Sequence, residues 1–199
     1  MHSKRYRTAV ALAVAAQVMS ACAGGIVDDG TATPNERSPQ AASSSTPRPS
    51  NANLVNAFDF YAQSGGRPGY FFTTPSGTWR CAIIPHEEAG CRSAKSAISL
   101  GVKGVPDTVV DAAGTPVAPN AVVVQSTGDA YFAKLDAGVL VRDSGPDQTL
   151  PFGRILAAAG FRCNVQDLGI SCMSETSRSG FTFSADGFTP SYTDLPAGP

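Results

Sequence analysis

Thr78-Trp79-Arg80-Cys81, followed ten residues on by Cys91, and Gly160-Phe161-Arg162-Cys163, followed nine residues on by Cys172, are the two stretches whose reading decides the fold. Each runs aromatic, arginine, cysteine, then a polar turn with glycine, then a second cysteine. The first turn carries Pro85-His86-Glu87-Glu88-Ala89-Gly90 and the second Gln166-Asp167-Leu168-Gly169. This weak internal repeat reads as two similar β-hairpins. Facing positions of an antiparallel pair lie about 4.5–5.5 Å apart at Cα, within disulfide reach. The expected pairing is Cys81 with Cys91 and Cys163 with Cys172. Each short loop would then contribute about 2.5–3 kcal/mol by the chain-entropy estimate. Four cysteines admit three pairings, and a link between the two modules is the alternative. Thiol metal ligation and thioredoxin-type redox chemistry both want closer cysteine spacings than these.

Outward from the hairpins, short β-like runs alternate with turn residues. Candidate strands are 70–73, 78–84, 121–125, 130–135, 138–142, 161–165, 170–173 and 181–184. Pro75-Ser76-Gly77, Ser126-Thr127-Gly128-Asp129 and Asp143-Ser144-Gly145-Pro146 separate several of them. Residues 155–159 read as strand or turn, because Gly153 and Gly160 bracket them too tightly for a long helix. Ahead of these, Leu54, Val55, Phe58 and Tyr61 share a face at helical spacing, and Gly65-Gly66 would end that helix. Glycine and proline, 20 and 15 of the 199 residues, also favour a loop-rich β domain. The expectation is a mainly β chain: a small disulfide-stapled sandwich or barrel over 54–199, preceded by a short helix.

The N-terminal residues set the compartment. Lys4, Arg5 and Arg7 precede an apolar run, and the small-residue cluster Met19-Ser20-Ala21-Cys22 follows. That order is the secretory pattern, and the apolar run is shorter than the roughly 20 residues of a membrane span. Met19-Ser20-Ala21-Cys22 resembles the bacterial lipobox, with Met19 where leucine is usual. The resemblance implies a signal peptide over 1–21 and a diacylglyceryl group on Cys22. Two acyl chains suffice for stable anchoring. Without residues 1–21 the chain holds 12 basic and 16 acidic residues, a formal charge of −4, which offers nucleic acid no basic face. Residues 22–53 are poor in apolar side chains and rich in Thr, Ser and Pro. They read as a disordered tether whose root-mean-square span is roughly 30 Å.

Little in the remainder promises catalysis. Beyond the signal the chain has one histidine, His86, within Pro85-His86-Glu87-Glu88. At a hairpin tip it reads as a solvated turn histidine, and Glu87-Glu88 as solvated charges. Ser64-Gly65-Gly66-Arg67-Pro68-Gly69 is glycine-rich but lacks the strand-to-helix context of a phosphate loop. Trp79 and Phe161 read as aromatics packed against disulfides. No catalytic residue, metal ligand or cofactor is expected.

The order of several motifs is similar to a family of small secreted or lipid-anchored actinobacterial domains of unassigned function. They are Phe72-Thr73-Thr74-Pro75-Ser76-Gly77-Thr78-Trp79-Arg80-Cys81, Leu150-Pro151-Phe152-Gly153, Cys163 with Gly169-Ile170-Ser171-Cys172, and Gly180-Phe181-Thr182-Phe183-Ser184. The similarity spans roughly residues 70–190. The family often has a further cysteine pair in the middle, where this chain has none between Cys91 and Cys163. As a whole the chain resembles a mycobacterial-type lipoprotein. The anchor, the tether and the lack of a reactive constellation lead to the expectation of a non-catalytic module on the extracytoplasmic face of the cell membrane, with an envelope polymer, lipid or protein as partner. A carrier of an apolar or lipid ligand is the alternative, and an envelope hydrolase using His86 or paired carboxylates ranks behind both.

Overall fold

A computed structural model describes residues 49–96 and 98–196. The signal segment, Cys22 and the tether as far as residue 48 lie outside the described residues. What is described is mainly β. A six-stranded antiparallel sheet is ordered β1-β2-β3-β4-β7-β8, with β1 Tyr61–Ser64, β2 Arg67–Thr73, β3 Trp79–Ile84, β4 Glu88–Ser93, β7 Ala121–Gln125 and β8 Tyr131–Ala133. A five-stranded antiparallel sheet is ordered β13-β12-β11-β10-β9, with β9 Arg154–Ala158, β10 Phe161–Gln166, β11 Gly169–Ser174, β12 Gly180–Ser184 and β13 Gly187–Thr189. A small hairpin of β5 Val109–Val110 and β6 Pro116–Val117 lies in the long connection between β4 and β7.

The two sheets stack with alternate side chains inward. Trp79, Cys81 and Ile83 of β3, Ala89 and Cys91 of β4, and Val122 and Val124 of β7 face the other sheet. From it come Leu156, Phe161, Cys163, Val165, Ile170, Cys172, Phe181 and Phe183, and together they form one buried cluster. Cys81 is bonded to Cys91 and Cys163 to Cys172, each pair directly opposite in its ladder. Their Cα atoms are 4.0 Å and 4.1 Å apart. The cystines are fully buried and lie on the facing surfaces of the two sheets.

The phase that turns each cysteine inward turns the preceding arginine outward. Arg80 pairs with Asp147 at 3.3 Å, and Arg162 with Glu175 at 3.1 Å. The aromatic-Arg-Cys repeat is thus the strand period written in side chains: aromatic ring and sulfur into the core, guanidinium onto the outer face.

Both outer faces are covered, by different means. Over the first sheet, residues 134–147 form a flap whose Leu140, 1 % exposed, packs with Phe71, Ala82 and Ile84. Arg92 fastens it, donating from one nitrogen to the carbonyls of Asp136, Ala137 and Val139 at 2.8, 3.1 and 3.2 Å. Buried Asn120 clasps the start of the flap. Its amide donates to the Leu135 carbonyl and its oxygen accepts from the Leu135 N–H. Gly90 lies beneath, where an added Cβ would sit 2.8 Å from the Val122 carbonyl oxygen and 3.1 Å from Leu140 Cδ1.

The outer face of the second sheet is polar, and residues 191–195 cross it as a strap. Asn164, fully buried, donates to the Tyr192 hydroxyl and the Thr193 carbonyl, both at 2.9 Å. Ser171 accepts from the Thr193 N–H at 2.8 Å, and Thr182 bonds to Ser191 and Thr193. Burial is the main cause that pushes the Tyr192 phenol up to about 12. Ser50 donates its backbone N–H to Asp194, and its carbonyl accepts from Arg162. Asn53 and Val55 then hydrogen-bond to Ile155 along the open edge of β9.

Three local expectations differ from the structure. The helix at 54–61 is a single 3-10 turn, Ala57–Phe60, capped by the Asn56 side chain. Its neighbour Tyr61 already begins β1, and Phe58 is solvent-exposed, so the helical spacing of Leu54, Val55, Phe58 and Tyr61 never became a buried face. Gly65-Gly66 accordingly turn β1 into β2 rather than ending a helix. Residues 138–142 are turns of the flap, with Leu140 at φ +61°, because their backbone serves Arg92 and Ser64 instead of a ladder. Gly90→Ala is expected to cost about 1–3 kcal/mol, since the new methyl meets a backbone oxygen that cannot yield. Urea denaturation of the variant against the parent measures this.

Candidate functional site

Several surface depressions are lined by described residues. One, about 330 Å³, opens on the outer face of the first sheet between the β1–β2 turn and the flap. Ile84, Val139 and Leu140 supply its apolar walls. Ser64, Arg67, Asp136 and Asp143 supply its polar ones. The charges answer one another. Arg67 pairs with Glu87, and the Asp143 carboxylate accepts from the Gly65 and Gly66 amides at 2.7 and 3.4 Å. The glycine-rich 64–69 stretch therefore does bind an anion, and the anion is the chain's own carboxylate.

Beside this cleft, Glu88 sits half-buried on the outer face of β4. Burial raises its pKa; the Arg67 charge opposes that, and Glu87 adds to it. Tyr131 on β8 is also raised, first by burial and then by the Glu88 charge. His86 is exposed at the β3–β4 turn with φ +60°. Its backbone N–H donates to Ala159 of the β9–β10 turn at 3.1 Å. The expected acid–base candidates His86, Glu87 and Glu88 are thus neighbours in sequence with separate surroundings. One is an exposed turn residue, one is engaged by Arg67, and one lies flat on the sheet.

A second depression, about 240 Å³, lies at the end of the sandwich where β2 turns into β3 and β10 into β11. It is lined by Trp79, Phe152, Val165, Gln166, Asp167 and Ile170, with hydroxyls from Thr74, Ser76 and Ser184. A third, about 300 Å³, lies at the opposite end of β10 between Pro49, Asn51, Arg162, Glu175 and Arg178. There Arg162 is already committed to Glu175, Ser50 and Asn51.

Cys81, Cys91, Cys163 and Cys172 are all consumed by disulfides in the core and belong to no depression. Cys22 lies outside the described residues. Among the described residues, no three His, Cys, Asp or Glu side chains group as metal ligands. Reading by sequence overlooked Asp143, the flap and Phe152. Asp143-Ser144-Gly145-Pro146 marked a turn but not what its carboxylate reaches. No protein family, no curated protein and no solved structure matches the chain.

Glu88→Gln is expected to stabilise the domain near neutral pH. A carboxyl whose folded pKa lies above 4.5 binds its proton more tightly in the native state, so stability falls as pH rises through that interval. The amide removes this loss. Thermal melts should show the variant above the parent at about pH 7, with the gap closing below about pH 4.

Proposed function

We propose that the chain is a cell-envelope lipoprotein, held to the extracytoplasmic face of the membrane through a diacylglyceryl group on Cys22, whose folded domain is a non-catalytic binding or structural module. The actinobacterial resemblance, with residues 1–21 as signal and 22–53 as tether, is part of this reading. The observation that carries it is the pair of buried cystines, since such bonds persist where the surroundings are oxidising.

The surface supports a binding role over a chemical one. In the large cleft Arg67 is held by Glu87, and Asp143 by two backbone amides. A group held this way orients a ligand but is not free to attack it. The carrier alternative draws less support, because Phe72, Leu100, Leu150, Phe161, Phe181 and Phe183 fill the space between the sheets to full burial or nearly so. The hydrolase alternative draws less again, with His86 on an exposed tip. Among the described residues no helix is long and apolar enough to cross a membrane, so on this reading the lipid does the anchoring.

Detergent phase separation of cell lysates tests the anchor. The parent chain should enter the detergent phase with a diacylglyceryl mass on Cys22, and Cys22→Ala should move to the aqueous phase or the medium. Recovery of the parent from the cytosol, unacylated and with its other four cysteines reduced, would refute the reading.

A further inference from the structure

We propose that the 240 Å³ pocket at the Trp79 end of the sandwich binds N-acetylated sugar units of a glycan. The proposal rests on the reading of the domain as a binding module and names the ligand class of one of its pockets.

Trp79 is the chain's single tryptophan. Its ring is 8 % exposed and meets Phe183 edge-on at 4.9 Å, so its orientation is fixed by the core. Its indole N–H has no protein acceptor. Among the described residues no fully buried side-chain nitrogen or oxygen lacks a partner, so this N–H reaches solvent, and Trp79 lines the pocket. A rigid donor with no acceptor is a ready contact for a ligand carbonyl.

The opposite polarity stands nearby. Among the described residues the Asp167 carboxylate has no hydrogen-bond or ion-pair partner. Gln166 donates its amide hydrogens to Asn164 and Thr193, which ties that side chain to the strap on the outer face of the sheet. Buried Val165 and Ile170 give an apolar floor, and Phe152, 52 % exposed, offers an aromatic surface at the mouth. An acetamido sugar matches this set group by group. Its carbonyl takes the indole proton, its N–H gives to the Asp167 carboxylate, its methyl meets the apolar floor, and its ring face lies on Phe152. A hydrocarbon ligand would leave both the indole N–H and Asp167 unpaired, and an anion would face Asp167.

The position suits a polymer away from the anchor. Pro49, where the described chain begins, lines the depression at the Arg162 end of β10. Val165, Gln166 and Asp167 are at the other end of the same strand, about 15 Å along it. The pocket is therefore remote from the entry of the tether.

Because there is one tryptophan, the ¹⁵N-labelled full-length chain in zwitterionic micelles gives one indole N–H resonance. Titration with tri-N-acetylchitotriose should move it saturably, with half-effect near about 1 mM, while cellotriose, which lacks the acetamido groups, leaves it in place. Phe152→Ala and Asp167→Asn, both surface changes, should each weaken the effect about five-fold or more with the rest of the spectrum unchanged. An indole resonance that stays still up to about 10 mM chitotriose, or that cellotriose moves equally, overturns the assignment. The membrane reading fails separately: a silent titration on a chain acylated at Cys22 sinks the pocket alone, whereas a chain never acylated sinks the anchor whatever the indole does.

Discussion

Side chains on a β-strand alternate between two faces, and in this domain two cystines set which face is which. A cross-strand disulfide between directly opposed residues requires both sulfurs on one side of the hairpin. With Cys81–Cys91 and Cys163–Cys172 turned toward each other across the sandwich, the phase of β3, β4, β10 and β11 has no freedom left. A slip of one residue would carry Trp79, Ile83, Phe161 and Val165 to the outside and bring Arg80, Arg92 and Arg162 into the core. The register follows from the sulfurs, and the ion pairs and carbonyl clasps of the arginines follow from the register.

The two halves then diverge in how they close their outer surfaces. The first sheet is covered by an apolar plug, Leu140, held by an arginine that donates to three carbonyls. Burial, and after it the nearby Arg80 charge, lower the Arg92 pKa from the ordinary arginine value, yet an arginine with three acceptors keeps its proton. The second sheet is covered by a hydrogen-bonded strap over Asn164, Ser171 and Thr182. Apolar contact tolerates small displacements, while a chain of directional bonds does not. The strap side is accordingly the more exacting in sequence, though it contains fewer large residues.

Much of this architecture was legible in the residues. Cysteine spacing with flanking turn chemistry identified the hairpins, and period-two alternation marked most of the core strands, because both signals are local. The helix read at 54–61 is only a 3-10 turn, Ala57–Phe60. Four apolar residues at helical spacing count only if something covers them, and Phe58 faces solvent. The strand read at 138–142 was absent, since its partner is the Arg92 side chain rather than another ladder. Contacts of that kind join residues more than 40 positions apart and leave no pattern in a short window. The same holds for the surface: Trp79 read as core, and it is, but its place in one depression with Asp167 depends on the meeting of two distant turns.

Ser50 and Asp194 touch, their backbone amide and carboxylate 2.8 Å apart. The domain thus receives and releases its chain at neighbouring points, like a bead with both threads on one side. Such a unit can be spliced into a surface loop of another protein with little spacer, or circularly permuted by joining these points and opening the exposed β5–β6 turn at Ala112. Tension applied at Ser50 would load two elements at once, Asp194 of the outer strap through its amide and, through its carbonyl, the Arg162 side chain of the cystine-linked β10–β11 hairpin.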